Sequence, residues 1–136
     1  MVVTLKIISA PETWPLRHSV MWPDMPLDYV KLPNDEQGVH YGLYENNQLT
    51  AVISLFLEDG NAQFRKFATS TSKQGKGYGT QLLSFLMNEV KTLKITRVWC
   101  NARADKVTFY HQFGLKETAH SFVKNGQSYV VMERIL

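Results

Sequence analysis

A chain of 136 residues, 44% hydrophobic and 20% charged, is long enough for one domain with its own core and ordinary enough in composition to be globular. Fifteen basic against twelve acidic side chains leave +3, a balance that suits a polyanionic ligand without demanding one; the cations are scattered, as solvated surface charge is, rather than gathered in the basic stripe that nucleic acid would need. No run of eighteen apolar residues suggests a membrane span, the single Cys100 excludes internal disulfides and multi-cysteine metal sites, and His18, His40, His111 and His120 lack metal-ligand spacing.

In chain order, Val2 to Ile8 alternates and is β-branched, which predicts a first strand. The opening is too short for a signal peptide and lacks a cationic lead-in, so a cytoplasmic location is expected. Ser9 and Pro11 open a helix running to about Met21, with Leu16, Val20 and Met21 inward, and Trp22-Pro23 ends it. The proline-marked stretch that follows reads either as the lip of a ligand groove or as a surface connection. Val39–Tyr44 and Leu49–Leu57 are strands around a turn at Glu45-Asn46-Asn47-Gln48, and Glu58 to Asn61 makes a second turn. In the next strand Ala62 and Phe64 share a face, but Phe67 has the opposite parity. One inserted residue at Arg65-Lys66, a β-bulge, returns Phe67 to the buried side; the alternative is a second apolar layer.

After Thr69 comes Gln74-Gly75-Lys76-Gly77-Tyr78-Gly79-Thr80, and then a helix with Leu82, Leu83, Leu86, Val90 and Leu93 on one stripe. Helix N-terminal amides lack intrahelical partners and sit at the positive end of the dipole, and glycine lets a ligand approach the backbone. Strand, glycine loop and helix together therefore predict a phosphate or pyrophosphate seat. The dinucleotide fingerprint would need glycine where Thr80 stands, and no Gly-Lys-Ser/Thr triplet exists for a triphosphate loop. Ile95–Cys100 reads as a fifth strand with Cys100 a buried structural thiol. Asp105 caps a short helix through Phe113, Gly114 stops it, and Leu115–Ala119 and Tyr129–Ile135 are the last strands. The expectation is a single domain over 1–136: a mixed α/β sandwich in the order strand, helix, three antiparallel strands, helix, strand, helix, two strands.

The Gln74-x-x-Gly77-x-Gly79 loop and Phe109-Tyr110-x-x-x-Gly114-Leu115 segment, in that element order, resemble the GCN5-related N-acetyltransferase (GNAT) family over nearly the whole chain; leucine replaces a usual aromatic at 115. The resemblance implies a mostly antiparallel mixed sheet flanked by helices, acetyl-CoA as co-substrate without a metal, and transfer to a primary amine of a small molecule or peptide. Carried over by position, Phe67, Ala68 and Thr69 offer backbone groups to the pantetheine and thioester. Gln74, Gly75, Lys76, Gly77, Tyr78, Gly79 and Thr80 wrap the pyrophosphate. Tyr110 is the catalytic candidate beside the thioester sulfur. Where the family commonly has an asparagine, seven residues before that tyrosine, Arg103 stands, and Asn101 is two residues earlier; either fills that contact.

Bulge amides suit the carbonyl oxygen, and Tyr110 could protonate the leaving thiolate, uphill by roughly 2 kcal/mol at ordinary pKa values. The base is open among Glu58, Asp59, His40 and water. Arg17, His18, Trp22 and Asp24 are expected to border the acceptor groove, with Arg17 read as a surface arginine rather than a holder of an acidic acceptor group. Competing readings are a non-catalytic acyl-CoA sensor, a nucleotide-binding module and a small nucleic-acid-binding domain. A homodimer through the terminal strand Tyr129–Ile135 is possible without being required.

Overall fold

The computed structural model describes residues 2–136. Its element order is β1 (Val3–Ile8), α1 (Ala10–Leu16), β2 (Val39–Glu45), β3 (Gln48–Glu58), β4 (Asn61–Thr69), α2 (Tyr78–Lys91), β5 (Arg97–Arg103), α3 (Val107–His111), β6 (Lys116–Lys124) and β7 (Gln127–Ile135). The strands form one seven-stranded sheet in the order β1-β2-β3-β4-β5-β7-β6. Among the described residues only β4 and β5 run parallel. The expected order of strands and helices and the mixed α/β class are as observed. No helix among the described residues is long and apolar enough to cross a membrane.

The hairpins follow from turn chemistry. Each joins its strands through two residues with positive φ: Asn46-Asn47, Asp59-Gly60 and Asn125-Gly126. Asn, Asp and Gly tolerate that conformation, and the resulting turn twists in the same sense as the strands. Below one face of the sheet, α2 buries Leu82, Leu83, Leu86, Met87 and Val90 against Tyr41, Ile53, Phe64 and Val98. Burying those five helix side chains contributes about 10 kcal/mol as an upper estimate. Leu93, expected on the same stripe, lies beyond the helix end and is exposed. Ile8, Val52 and Ala68 form a smaller cluster with Leu16 and Val20, which places α1 on the opposite face.

Ser9 precedes α1, and its N–H and Oγ both donate to the Glu12 carboxylate, which ties the helix entry to the first turn. Pro15 inside α1 removes an N–H from the ladder, and the chain continues to Met21 in a wider π-type turn. Helical structure thus reaches Met21 as expected, but Met21 itself is exposed rather than inward. Between Trp22 and Gly38 the proline-marked stretch contains two short 3-10 turns, Leu27–Val30 and Asp35–Gln37. Two strands end several residues later than expected. β5 runs on through Asn101 to Arg103 because β7 pairs with it along its whole length, and β6 extends to Lys124 for the same reason. That pairing corrects the expected dimer edge. β7 is hydrogen-bonded on both sides, so Tyr129–Ile135 is not free to pair with a second copy; the sheet's edges are β1 and β6.

Candidate active site

The site begins where β4 loses a neighbour. Its parallel ladder with β5 holds only Asn61 to Gln63 against Arg97 to Trp99, and beyond that point the two strands have no paired residues. The other edge of β4 is irregular too. Val52 faces Ala68 and Ser54 faces Arg65, so two steps on β3 span three on β4. The extra residue is at Lys66-Phe67, and Lys66 has φ +55, a left-handed conformation that costs a bulky side chain of order 1 kcal/mol. The bulge does what the parity break requires: Phe67 packs on the same cluster as Ala62 and Phe64, while Ala68 joins the opposite one.

From the open end of β4 the chain enters the glycine loop. Gln74 donates its side-chain amide to the Thr69 carbonyl at 3.0 Å, which ties the loop back to the strand end. Gly77 has φ +84 at the position just before α2, where a side chain would be strained. The helix starts earlier than the apolar stripe suggests, at Tyr78, so Gly79 and Thr80 lie in its first turn with N–H groups that have no carbonyl upstream in the helix. Gly79 is also where Phe67 comes close: a Cβ there would sit 3.3 Å from the Phe67 ring. The N–H groups of Gly75, Lys76 and Gly77 donate to no described residue. Glu45, at the end of β2, anchors this loop from below. It accepts from Lys73 Nζ at 2.9 Å and from the buried Tyr78 hydroxyl. Those bonds hold its carboxyl below the usual range, and Glu45 carried no signal in the sequence.

A single cleft of about 750 Å³ joins these parts. The Phe67-Ala68-Thr69 segment, the loop from Gln74 to Thr80 apart from Lys76, Asn101 and Tyr110 all line it. Lys76 is exposed and is not among the lining residues. Asn101 and Arg103, two residues apart on β5, both reach the cleft, and Arg103 is engaged with Asp105 at 3.5 Å. Asp105 itself makes no capping bond; it lies in a 3-10 turn ahead of α3. Cys100 is 3% exposed and burial pushes its thiol up to about 12, which makes it an inert wall.

Tyr110 packs against Phe64 and Phe109, with ring centroids 5.8 and 5.2 Å away. Its hydroxyl has no hydrogen-bond partner among the described residues. Burial, with the nearby Cys100 thiol, drives the phenol pKa upward. Full proton transfer to a thiolate would therefore be steeper still than at ordinary values, which favours donating a hydrogen bond without complete transfer.

The acceptor side departs most from expectation. Trp22 lines the cleft, but Arg17, His18 and Asp24 do not. Arg17 is no surface residue: it is fully buried and bonds Asp35 through both terminal nitrogens at 2.8 and 2.9 Å, with further bonds to Ser54 Oγ and the Val30 carbonyl. Its Nε is the one buried side-chain polar atom without a partner among the described residues. His40 belongs to the same cluster, its ring nitrogens bonded to Ser54 Oγ at 2.7 Å and the Asp35 carbonyl at 2.8 Å. It is packed rather than poised as a base. Glu58 and Asp59 sit in the β3–β4 turn, at the opposite end of β4 from the bulge, so neither is placed to take a proton from the acceptor. Among the described residues no aspartate, glutamate or histidine lines the cleft. Residues unanticipated there include Arg65, Lys66, Gln127 and Tyr129.

Residues 26–136 match the acetyltransferase (GNAT) domain model. The chain belongs to the GNAT family. By that membership it is an acetyl-CoA-dependent acyltransferase. It is 25% identical over 145 residues to YitI, an uncharacterised N-acetyltransferase of Bacillus subtilis, covering 99% of this chain and 97% of that one. Among solved structures, a candidate N-acetyltransferase of Lactobacillus plantarum superposes with a TM-score of 0.87 at 20% identity, over 100% of this chain and 99% of the other. A GNAT family acetyltransferase of Elizabethkingia anophelis with acetyl-CoA bound gives 0.77 at 18% identity, over 98% of each chain. These structural likenesses establish the shared fold.

Proposed function

We propose that this GNAT enzyme moves the acetyl group of acetyl-CoA directly to a primary amine while both substrates are bound. The reading rests on one observation: β4 gives up its ladder with β5 after Gln63 and runs through a bulge into the glycine loop and the N-terminus of α2, with Tyr110 on the cleft wall. In this reading the loop amides and the first turn of α2 receive the diphosphate. The backbone of Phe67 to Thr69 replaces the missing β5 strand with the pantetheine arm, and amides at the bulge face the thioester oxygen as it gains charge. Asn101 contacts the arm from β5.

The amine nitrogen attacks the thioester carbonyl, the C–S bond breaks, and the thiolate departs against the Tyr110 hydroxyl. The amine proton leaves to water, since no carboxylate or imidazole lines the cleft. A metal has no part in this scheme; among the described residues no group of three or more His, Cys, Asp or Glu is placed to hold one.

The test is calorimetric titration with acetyl-CoA, CoA and ATP, followed by thiol release in the presence of amines. Tight binding of acetyl-CoA and CoA over ATP, with amine-dependent thiol release, is the expected result. Equal affinity for ATP would overturn the diphosphate assignment. Binding without release for any amine would reduce the protein to an acyl-CoA sensor.

A further inference from the structure

Two cations on the acceptor side of the cleft lack counter-ions. Of the basic residues lining it, Lys73 is paired with Glu45 and Arg103 with Asp105, while Lys106, on the turn ahead of α3, is exposed to solvent and forms no ion pair among the described residues. Arg65 and Lys66, side by side at the bulge and partly buried, form no ion pair and no side-chain hydrogen bond among the described residues. Their surroundings worsen the imbalance. Burial and then the neighbouring cations push both below their ordinary values, with Arg17 acting on each, and Arg65 and Lys124 acting on Lys66. The one anion close to them is Asp35, already gripped at both oxygens by Arg17. Unpaired, half-desolvated like charges side by side cost stability, and such an arrangement persists where something else is gained from it.

Their place sets them apart from the loop that would take a diphosphate. Arg65 and Lys66 precede Phe67, and the loop follows Thr69. Lys124 and the cleft-lining Gln127 and Tyr129 come from the β6–β7 hairpin, and Met21 and Trp22 from the end of the α1 segment. We propose that the acceptor is a small amine carrying its own anionic group, carboxylate or phosphate, which Arg65 and Lys66 hold while the amine faces the thioester. The proposal rests on the acetyltransferase reading and names the substrate class for it. It also transfers to Arg65 and Lys66 the role that the sequence left open to Arg17, which is fully buried with both terminal nitrogens bonded in the core.

The experiment measures binding to CoA-loaded enzyme, which needs no turnover, and then kcat/KM, for matched pairs: β-alanine against β-alaninamide, and phosphoethanolamine against ethanolamine. The charged member of at least one pair is expected to bind about 10- to 100-fold tighter, the range of one or two charge-assisted hydrogen bonds. The pair that shows the preference identifies carboxylate or phosphate. In Lys66→Met and Arg65→Gln that ratio falls toward one through KM, and in Lys66→Glu it inverts, with the Kd for CoA and the unfolding temperature reported alongside as folding controls. A wild-type preference for the uncharged member, or a ratio that survives all three substitutions, overturns the proposal. So does a large loss of CoA affinity in these variants, because the two cations would then belong to the cofactor. Absence of CoA binding in the wild type overturns the acetyltransferase reading and this proposal with it; intact CoA binding without charge preference overturns this proposal alone.

Discussion

Removing one oxygen, in Tyr110→Phe, isolates the chemistry assigned to this residue from its packing. The phenylalanine ring keeps the contacts with Phe64 and Phe109, and the lost hydroxyl has no partner among the described residues to strand. Stability is therefore expected to stay within about 0.5 kcal/mol of wild type. The rate is another matter. With the phenol pKa raised by burial, complete proton transfer to a thiolate costs more than the roughly 2 kcal/mol it would cost at ordinary values, so the contribution left is a hydrogen bond to a developing anion. Such a bond contributes about 1.5–3 kcal/mol, and its loss lowers single-turnover kcat by about 10- to 150-fold while leaving the Kd for acetyl-CoA nearly unchanged. The sign of the pKa shift adds a signature. A phenol with a raised pKa remains protonated throughout the neutral and mildly alkaline range, so the ratio of wild-type to variant rate should be flat from about pH 6.5 to 9.5. A ratio within twofold of one removes Tyr110 from the mechanism. A ratio that collapses toward one above about pH 9 shows a phenol with a normal or lowered pKa, and the burial argument fails.

Asp35→Ala leaves the fully buried Arg17 guanidinium without its carboxylate; urea unfolding should show a loss of about 3–5 kcal/mol, and the paired change Arg17→Met/Asp35→Leu should recover most of it. For Asp35 itself, desolvation opposes ionisation but is outweighed by hydrogen bonds from Arg17, the Leu32 N–H and Trp14, so its folded pKa is depressed. Its contribution is then complete above the ordinary carboxylate range and lost as pH falls from about 4 toward the folded value; an acid titration of Asp35→Asn that fell as steeply as wild type would contradict this. Cys100, with its thiol near 12, is about one part in ten thousand thiolate at pH 8, so a disulfide reagent should modify it only after unfolding, and rapid native-state labelling would refute its assignment as an inert wall.

What the sequence disclosed was whatever is decided within a few residues. Asn46-Asn47, Asp59-Gly60 and Asn125-Gly126 declare their hairpins because only a few residue types accept positive φ at both central positions. The bulge was visible as a parity fault between Phe64 and Phe67, since the period of two admits no other way to bury both in one cluster. The loop from Gln74 to Gly79 announced itself by glycine spacing. What stayed hidden depends on distant pairing. Asn101 to Arg103 look too polar for a strand, yet the β7 ladder carries β5 through them. Arg17 gave no sign of burial, because its partners Asp35 and Ser54 stand 18 and 37 residues further on. Glu45 was invisible as the loop's anchor for the same reason, lying 33 residues before Tyr78.

Charge is distributed unevenly along the cleft. At the loop end, Glu45 neutralises Lys73, and Lys76 stands outside the lining, so attraction for a diphosphate there falls to backbone amides and the helix terminus. Amides are fixed in direction and cannot be screened by a side chain turning away, which suits a group that must be held in one register for an arm to reach the bulge. At the other end the arrangement is reversed: in the proposed reading the bulged backbone faces the thioester, and charge comes from the side chains of Arg65 and Lys66. Directional donors where position matters and adaptable cations where varied partners arrive is the division expected of an enzyme with a constant donor and a separately chosen acceptor. It follows that substitutions at Arg65 and Lys66 should change which amine is used before they change how acetyl-CoA is bound.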